Sequence, residues 1–398
     1  MAALFYLTVI AVLLLAGIIC SIISNKLKIP NVLLLILTGL LLGTITYQGE
    51  HMSLSPVFLT SISIIALVMI LFDSTSRLKL KTFDTLSFKA MKLAFIFLTL
   101  NVLLLTIPTL LIYNIKGDSL FQSIIISLIF AALVSATDSA SVMVLLKGMP
   151  GRVVKLLEIE SIINTPLSVI LPFLFIDLFY NIGNKIDLST IFQNSIIPFV
   201  TQIVVGLGSG VFIGILVFKL MKKNYSEQLS PIALITAALL TYIIAENLSG
   251  SGVIAVVSLG LFFGNIAIKQ KSTLSEFSYM FSSSLEILVF ILIGFSIKVP
   301  LTLTFLIQSL ILFSLYILIR YLSVHITFKN VYTTKEKWFM TFNVSKGIAV
   351  AVVVFSLMTM QIPSINHILP LVLIFMIYSI FTSTLAEKYA HKFLDHQK

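Results

Sequence analysis

Thirteen apolar stretches, spaced along almost the whole chain, constrain what it can fold into more than any other feature. They fall at about 3–24, 31–47, 57–73, 91–114, 120–146, 154–180, 194–220, 231–247, 252–268, 277–298, 301–325, 339–360 and 366–386. A helix needs about 20 apolar residues to cross a bilayer, and most of these stretches approach or exceed that length. In 398 residues they leave only short connections and no room for a folded domain outside the membrane. Composition agrees: 58% of residues are hydrophobic and 11% charged, too few polar groups to cover a soluble surface. A soluble enzyme, a nucleic-acid reader and a disordered scaffold are all excluded as first readings. The expectation is an all-α polytopic membrane protein with about 13 transmembrane helices, one domain over 1–386. The tail, 387–398, is expected to be cytoplasmic and too short for a regulatory domain. The opening stretch lacks a basic leader and is too long for a cleaved signal, so it reads as the first span. A lone cysteine, Cys20, permits no internal disulfide.

The net charge of +10 takes its meaning from position. All but five of the 26 lysines and arginines lie in or beside the loops after stretches 1, 3, 5, 7, 9 and 11, or in the tail. The exceptions are Lys116, Lys185 and Lys298 in the intervening loops, and Arg320 and Lys346 within spans. Basic loops stay cytoplasmic, which places the N-terminus outside and the C-terminus inside. A missed or invented helix would scramble this alternation, so the charges support the count. They mark orientation in a lipid bilayer and do not point to nucleic acid.

Ionisable groups inside hydrocarbon are costly and usually line a polar cavity or an ion path. Those in the spans are Asp73, Asp138, Glu160, Glu246, Glu286, Arg320 and Lys346, with Glu158 and Asp177 nearer helix ends. Any single one can instead pair structurally to fix helix packing. Two stretches concentrate the chemistry. Ser135-Ala136-Thr137-Asp138-Ser139-Ala140-Ser141 surrounds one carboxylate with small and hydroxylated residues, which suits a local helix break with carbonyls turned toward a cavity. A close helix–helix contact explains its alanines and serines but not its aspartate. In the sixth stretch, Glu160, Ser161, Asn164, Thr165 and Ser168 form one polar stripe at helical spacing, and Pro166 removes a backbone donor. Facing Asp138, that stripe makes a hard-cation site of carboxylate, hydroxyl and amide oxygens. No His/Cys cluster suggests a transition metal. A third interruption, Asn343-Val344-Ser345-Lys346-Gly347, lies seven stretches after the first, the spacing of an inverted repeat. Arg320 needs a buried partner, for which Glu160 is the choice.

At these residues the chain resembles the cation:proton antiporters of the sodium/proton exchanger type. That family carries Ala-Thr-Asp and, about twenty residues on, Leu-Glu-x-Glu-Ser-x-x-Asn-Asp. Here the segments read Ala136-Thr137-Asp138 and Leu157-Glu158-Ile159-Glu160-Ser161-Ile162-Ile163-Asn164-Thr165. Further matches are Leu71-Phe72-Asp73, the run Ser251 to Val257 with Gly260 and Gly264, Leu292-Ile293-Gly294, Arg320 and Ser345-Lys346-Gly347. The resemblance implies an inverted-repeat fold with two crossed, unwound helices. It further implies a transport bundle (about 91–180 and 301–386) moving against dimerisation helices (about 1–73 and 194–298). It places Asp138, Thr137 and Ser161 at the monovalent-cation site, with Asn164 and Thr165 beside them and Asp73 acting through water. It also implies that Glu160 pairs with Arg320, that Lys346 is the charge at the second helix break, and that the protein is a homodimer.

One departure bears on mechanism. Thr165 stands where the family carries its second aspartate, and a hydroxyl ligates a cation without releasing a proton near neutral pH. Three readings stay open: Asp138 exchanges alone, the coupling is altered, or proton exchange is lost. The leading expectation is electroneutral exchange of Na⁺ or Li⁺ for H⁺ at Asp138 in a prokaryotic plasma membrane, with no cofactor. K⁺/H⁺ exchange is the transport alternative, and a non-exchanging sensor or cation pathway a different class. An intramembrane enzyme is not supported, because the five histidines lie at loops, helix ends or the tail.

Overall fold

The computed structural model describes residues 2–27, 30–43, 46–47, 50–51, 55–79, 85–113, 120–137, 152–181, 197–223, 226–267, 270–360, 362 and 365–394. Its first helices are α1 (Ala2–Leu27), α2 (Asn31–Gly43), α3 (Pro56–Ser76), α4 (Thr85–Ile112), α5 (Leu120–Ser135), α6 (Arg152–Asn181) and α7 (Ile197–Lys223). There follow α8 (Leu229–Asn247), α9 (Gly252–Asn265), α10 (Lys271–Ser296), α11 (Leu303–Thr327), α12 (Thr334–Phe342), α13 (Ile348–Thr359), α14 (Leu369–Lys388) and the short α15 (Ala390–Phe393). Among the described residues, nine helices are long and apolar enough to cross a membrane. Four shorter apolar helices, α2, α5, α9 and α13, bring the spans to thirteen, with α12 and α13 forming the two halves of the twelfth.

Boundaries differ from the apolar stretches where physics separates helix from hydrocarbon. α4 and α10 start ahead of their stretches, at Thr85 and Lys271, because a helix continues through the headgroup region where polar side chains cost little. The second apolar stretch runs to 47, yet α2 ends at Gly43, and Thr46–Tyr47 pairs antiparallel with Glu50–His51.

The helices pack in two groups. α2 and α3 lie on α10, α9 lies between α3 and α7, and α8 closes on α7 and α9. In the other group α4 packs on α5, α6 and α11, and α5 packs on α6. The groups meet where α13 crosses α3 and α10, and where α6 touches α3 and α9. Close approach within the first group depends on glycine. A Cβ at Gly294 would lie 2.4 Å from the Ile36 carbonyl oxygen, so α2 and α10 touch backbone to backbone. At Gly260 it would meet Thr75 Oγ1 and the Phe72 carbonyl, on the turn of α3 that carries Asp73.

Candidate ion site

Helix α5 stops at Ser135, and three successive carbonyls there receive donors from other helices. Asn164 Nδ2 donates to the Ser135 carbonyl at 2.7 Å, Lys346 Nζ to that of Ala136 at 2.8 Å, and Ser161 Oγ to that of Thr137 at 2.8 Å. The last carbonyls of a helix have no intrahelical donor, and in hydrocarbon no water replaces one. Side chains from α6 and from the break before α13 therefore do what solvent does elsewhere. The polar stripe of α6 is itself bonded. Ser168 Oγ donates to Asn164 Oδ1 at 3.1 Å, and Thr165 Oγ1 donates to the Ser161 carbonyl at 2.8 Å. Pro166 lies within this helix and has no N–H for the Ile162 carbonyl one turn earlier.

The second break, 343–347, is held by α14. Ser383 Oγ accepts from the Val344 N–H at 3.0 Å, and Ser379 Oγ accepts from the Lys346 N–H at 3.1 Å. Among the described residues the side chains of Asn343 and Ser345, both buried, have no hydrogen-bond partner. Lys346 is fully buried, and its ammonium also donates to Tyr316 Oη at 2.5 Å. Its charge sits against the C-terminal end of α5, where the helix dipole is negative.

Behind this junction Arg320 and Glu160 form two parallel hydrogen bonds of 2.9 and 2.8 Å, with both side chains essentially unexposed. The guanidinium also lies over the Phe97 ring, 4.6 Å from its centroid. Such a bidentate, fully buried pair is a fixed structural join between α6 and α11.

A cavity of about 80 Å³ reaches the junction from one side. Thr137, Thr165 and Gly347 line its inner end, and Asp73, Arg77 and Glu286 also face it. Carboxylate and hydroxyl oxygens on this wall are hard ligands suited to an alkali cation shedding water.

The profile described as "Sodium/hydrogen exchanger, transmembrane" matches residues 10–388. The chain belongs to the sodium/hydrogen exchanger family. It is 31% identical over 261 residues to the K(+)/H(+) antiporter NhaP2 of Shewanella oneidensis, a match covering 64% of this chain and 43% of that protein. It is 29% identical over 280 residues to the Na(+)/H(+) antiporter ApNhaP of Aphanothece halophytica, covering 68% of this chain and 50% of that one. The chain therefore spans about half or less of the length of these relatives. The structure of the sodium proton antiporter MjNhaP1 from Methanocaldococcus jannaschii superposes over the whole of both chains with a TM-score of 0.82 at 19% identity, a likeness of fold.

Within this exchanger fold, Thr137, Ser161, Asn164 and Thr165 come together at the α5 break, and Asp73 faces the cavity leading to it. Asp138 and Ser139 to Ser141 lie outside the described residues, as does the side chain of Asp177. Glu246 is not part of this group. Its Oε1 accepts from the Gly252 N–H at 2.8 Å and ties the turn between α8 and α9. Several contributors were not singled out in the sequence: Tyr316, Ser379, Ser383 and the α10 wall of Tyr279, Ser282 and Ser283. Two signals were there to find. Tyr316 lies one turn before Arg320, and Ser379 and Ser383 share a face of an apolar helix.

Proposed function

We propose that this chain exchanges a monovalent cation for protons across the membrane, with Asp138 as the group that holds one or the other. The reading rests above all on the three carbonyls of Ser135, Ala136 and Thr137, directly before Asp138 in the chain, each fixed by a side chain from α6 or from the break before α13. A helix break held open inside hydrocarbon by two amide-or-hydroxyl donors and an ammonium is far more elaborate than packing requires. Thr137, Ser161, Asn164 and Thr165 supply neutral oxygens around it, and Asp73 supplies a carboxylate on the approach. Ion gradients supply the energy, and the competition of cation and proton for one carboxylate supplies the coupling.

The two helix groups support a division into moving and static parts: a bundle of α4–α6 and α11–α14 against a scaffold of α1–α3 and α7–α10 that also forms a homodimer. α13 packs on α3 across this boundary, and a buried hydroxyl pair, Ser63 and Ser356 at 2.7 Å, crosses it. With the N-terminus outside and the C-terminus inside, the Arg77 end of the cavity opens to the cytoplasm of a bacterial or archaeal cell.

Na⁺ or Li⁺ is the favoured cargo for a site of hydroxyl and carboxylate oxygens. K⁺ is the second reading, favoured by the name of the Shewanella relative. Purified protein in proteoliposomes, challenged separately with Na⁺, Li⁺ and K⁺ while internal pH is followed, tests all of this. Proton movement with any of them supports exchange and names the cation. Silence with all three, in protein shown to be folded, favours the sensor or cation-pathway class.

A further inference from the structure

Among the described residues two arginine–carboxylate pairs stand out, one deep in the spans and one at the end of α3, and they are built for opposite purposes. Arg320 and Glu160 are 0% and 1% exposed and share two parallel bonds. Arg77 and Asp73 share a single bond of 2.6 Å from Nη2 to Oδ2, and their side chains are 41% and 10% exposed. The first pair is locked, and the second is open to exchange.

Position gives the second pair its meaning. Both residues line the cavity whose inner end is Thr137, Thr165 and Gly347. Asp73 is thus a carboxylate on the approach to the α5 break, and its charge is already matched by a cation belonging to the protein. While bound to Asp73, the guanidinium already lies over a second group. Its Cζ stands 5.0 Å from the centroid of the Tyr279 ring, which is itself half exposed at the cavity rim. A guanidinium leaving Asp73 keeps the face of an aromatic ring and gains water, so its departure strands no buried charge. Capping the C-terminus of α3 accounts for a basic residue at 77. It does not account for a partner carboxylate and an aromatic ledge on the same cavity.

We infer that Arg77 is a tethered competitor for the transported cation: it occupies Asp73 at rest and yields it to an incoming ion while keeping its contact with Tyr279. Arg77 thereby sets the cation concentration at which the site loads. The inference rests on the exchange reading for its cargo, and its test is arranged so that the two can fail separately.

The protein is compared with its Arg77→Gln and Tyr279→Leu variants, both changed at exposed positions. Equilibrium binding of radioactive Na⁺ and Rb⁺ to detergent-purified protein is measured beside cation-driven proton movement in proteoliposomes. Arg77→Gln should lower the half-saturating cation concentration by roughly two- to fivefold, the range expected for a partly exposed pair. Tyr279→Leu should raise it, because a guanidinium released from Asp73 then has no aromatic face to hold it. Added guanidinium chloride should compete with the cation more strongly in Arg77→Gln than in the parent protein. Lys79→Gln, which removes a neighbouring exposed charge, should leave the value unchanged. An Arg77→Gln protein with unaltered or weaker cation binding overturns the inference, as does an equal effect from Lys79→Gln. Binding that tightens in Arg77→Gln while every protein is silent in flux supports the competitor and sinks the exchange reading. Normal flux with unshifted binding does the reverse.

Discussion

The ammonium of Lys346 and the carbonyl oxygen of Ala136, 210 residues apart in the chain, meet at 2.8 Å and join the end of α5 directly to the break between α12 and α13. The contact closes a circuit. Lys346 also reaches Tyr316 on α11, Arg320 one turn further along α11 grips Glu160 on α6, and Ser161 and Asn164 return from α6 to the α5 break. Four elements thus share one polar junction. Each member is positioned by the next, so removing one leaves another buried group without its partner.

The first prediction concerns Lys346. Lys346→Met keeps length and removes the ammonium that donates both bonds, leaving the Ala136 carbonyl and Tyr316 Oη without this donor in hydrocarbon. An unsatisfied buried group costs about 1–3 kcal/mol. We expect a lower midpoint in thermal unfolding of the purified protein and loss of cation-dependent proton movement, with Lys346→Arg intermediate in both. Wild-type flux in Lys346→Met would remove this contact from the mechanism.

Glu160 and Arg320 provide a second test. Glu160→Gln or Arg320→Gln alone leaves the opposite charge buried and unpaired, a loss of about 3–5 kcal/mol. The double variant buries no ion and should recover part of that loss. The measurement is folded yield and thermal midpoint across the four-member cycle. Losses that simply add would mean that the two side chains are energetically independent despite their geometry.

How much of this was legible beforehand depends on the kind of signal. The thirteen spans could be read because hydrocarbon thickness fixes helix length and because Lys and Arg alternate between loops. The family could be read because Ala136-Thr137-Asp138 and Glu158 to Asn164 keep their order and spacing. Tyr316 could not be matched to Lys346, since nothing in sequence sets the rotation of α11 against a break thirty residues later. Ser379 and Ser383 share a helix face in the sequence, but what they hold was equally hidden. A serine in an apolar helix commonly bonds its own preceding turn, as Ser379 does with the Met376 carbonyl, and only packing shows that it also holds another backbone. Arg77 was counted as a loop charge because its relation to the cavity is purely three-dimensional.

A third prediction isolates the donor at Asn164. Its Nδ2 bonds the Ser135 carbonyl, while its Oδ1 accepts from Ser168. Asn164→Asp keeps the shape and the acceptor but loses the N–H, and it sets a carboxylate against a carbonyl oxygen. It should damage cation binding and thermal stability at least as much as Asn164→Ala. An Asp variant that behaves like the parent would show that the α5 break does not depend on this donor.

The last prediction turns on Thr165, whose hydroxyl donates to the Ser161 carbonyl and whose side chain borders the same cavity as Thr137 and Asp73. A threonine cannot trade a proton for a cation, so one carboxylate at the centre limits each cycle to one proton for one cation. Exchange by the parent protein should then be indifferent to an imposed membrane potential. Thr165→Asp adds a second carboxylate to the site at the cost of one hydrogen bond within α6. Neighbouring carboxylates ionise in sequence, the second at higher pH than either would alone. The variant should therefore fold, bind cations more tightly at high pH and show a pH profile displaced upward. Proton and Na⁺ flux are measured against pH for both proteins, with and without a potassium–valinomycin potential. Parent flux that follows the potential would refute one-for-one exchange. An inert parent beside an active Thr165→Asp variant would mean that this chain keeps the exchanger fold after losing its proton coupling, and that position 165 is where the coupling was lost.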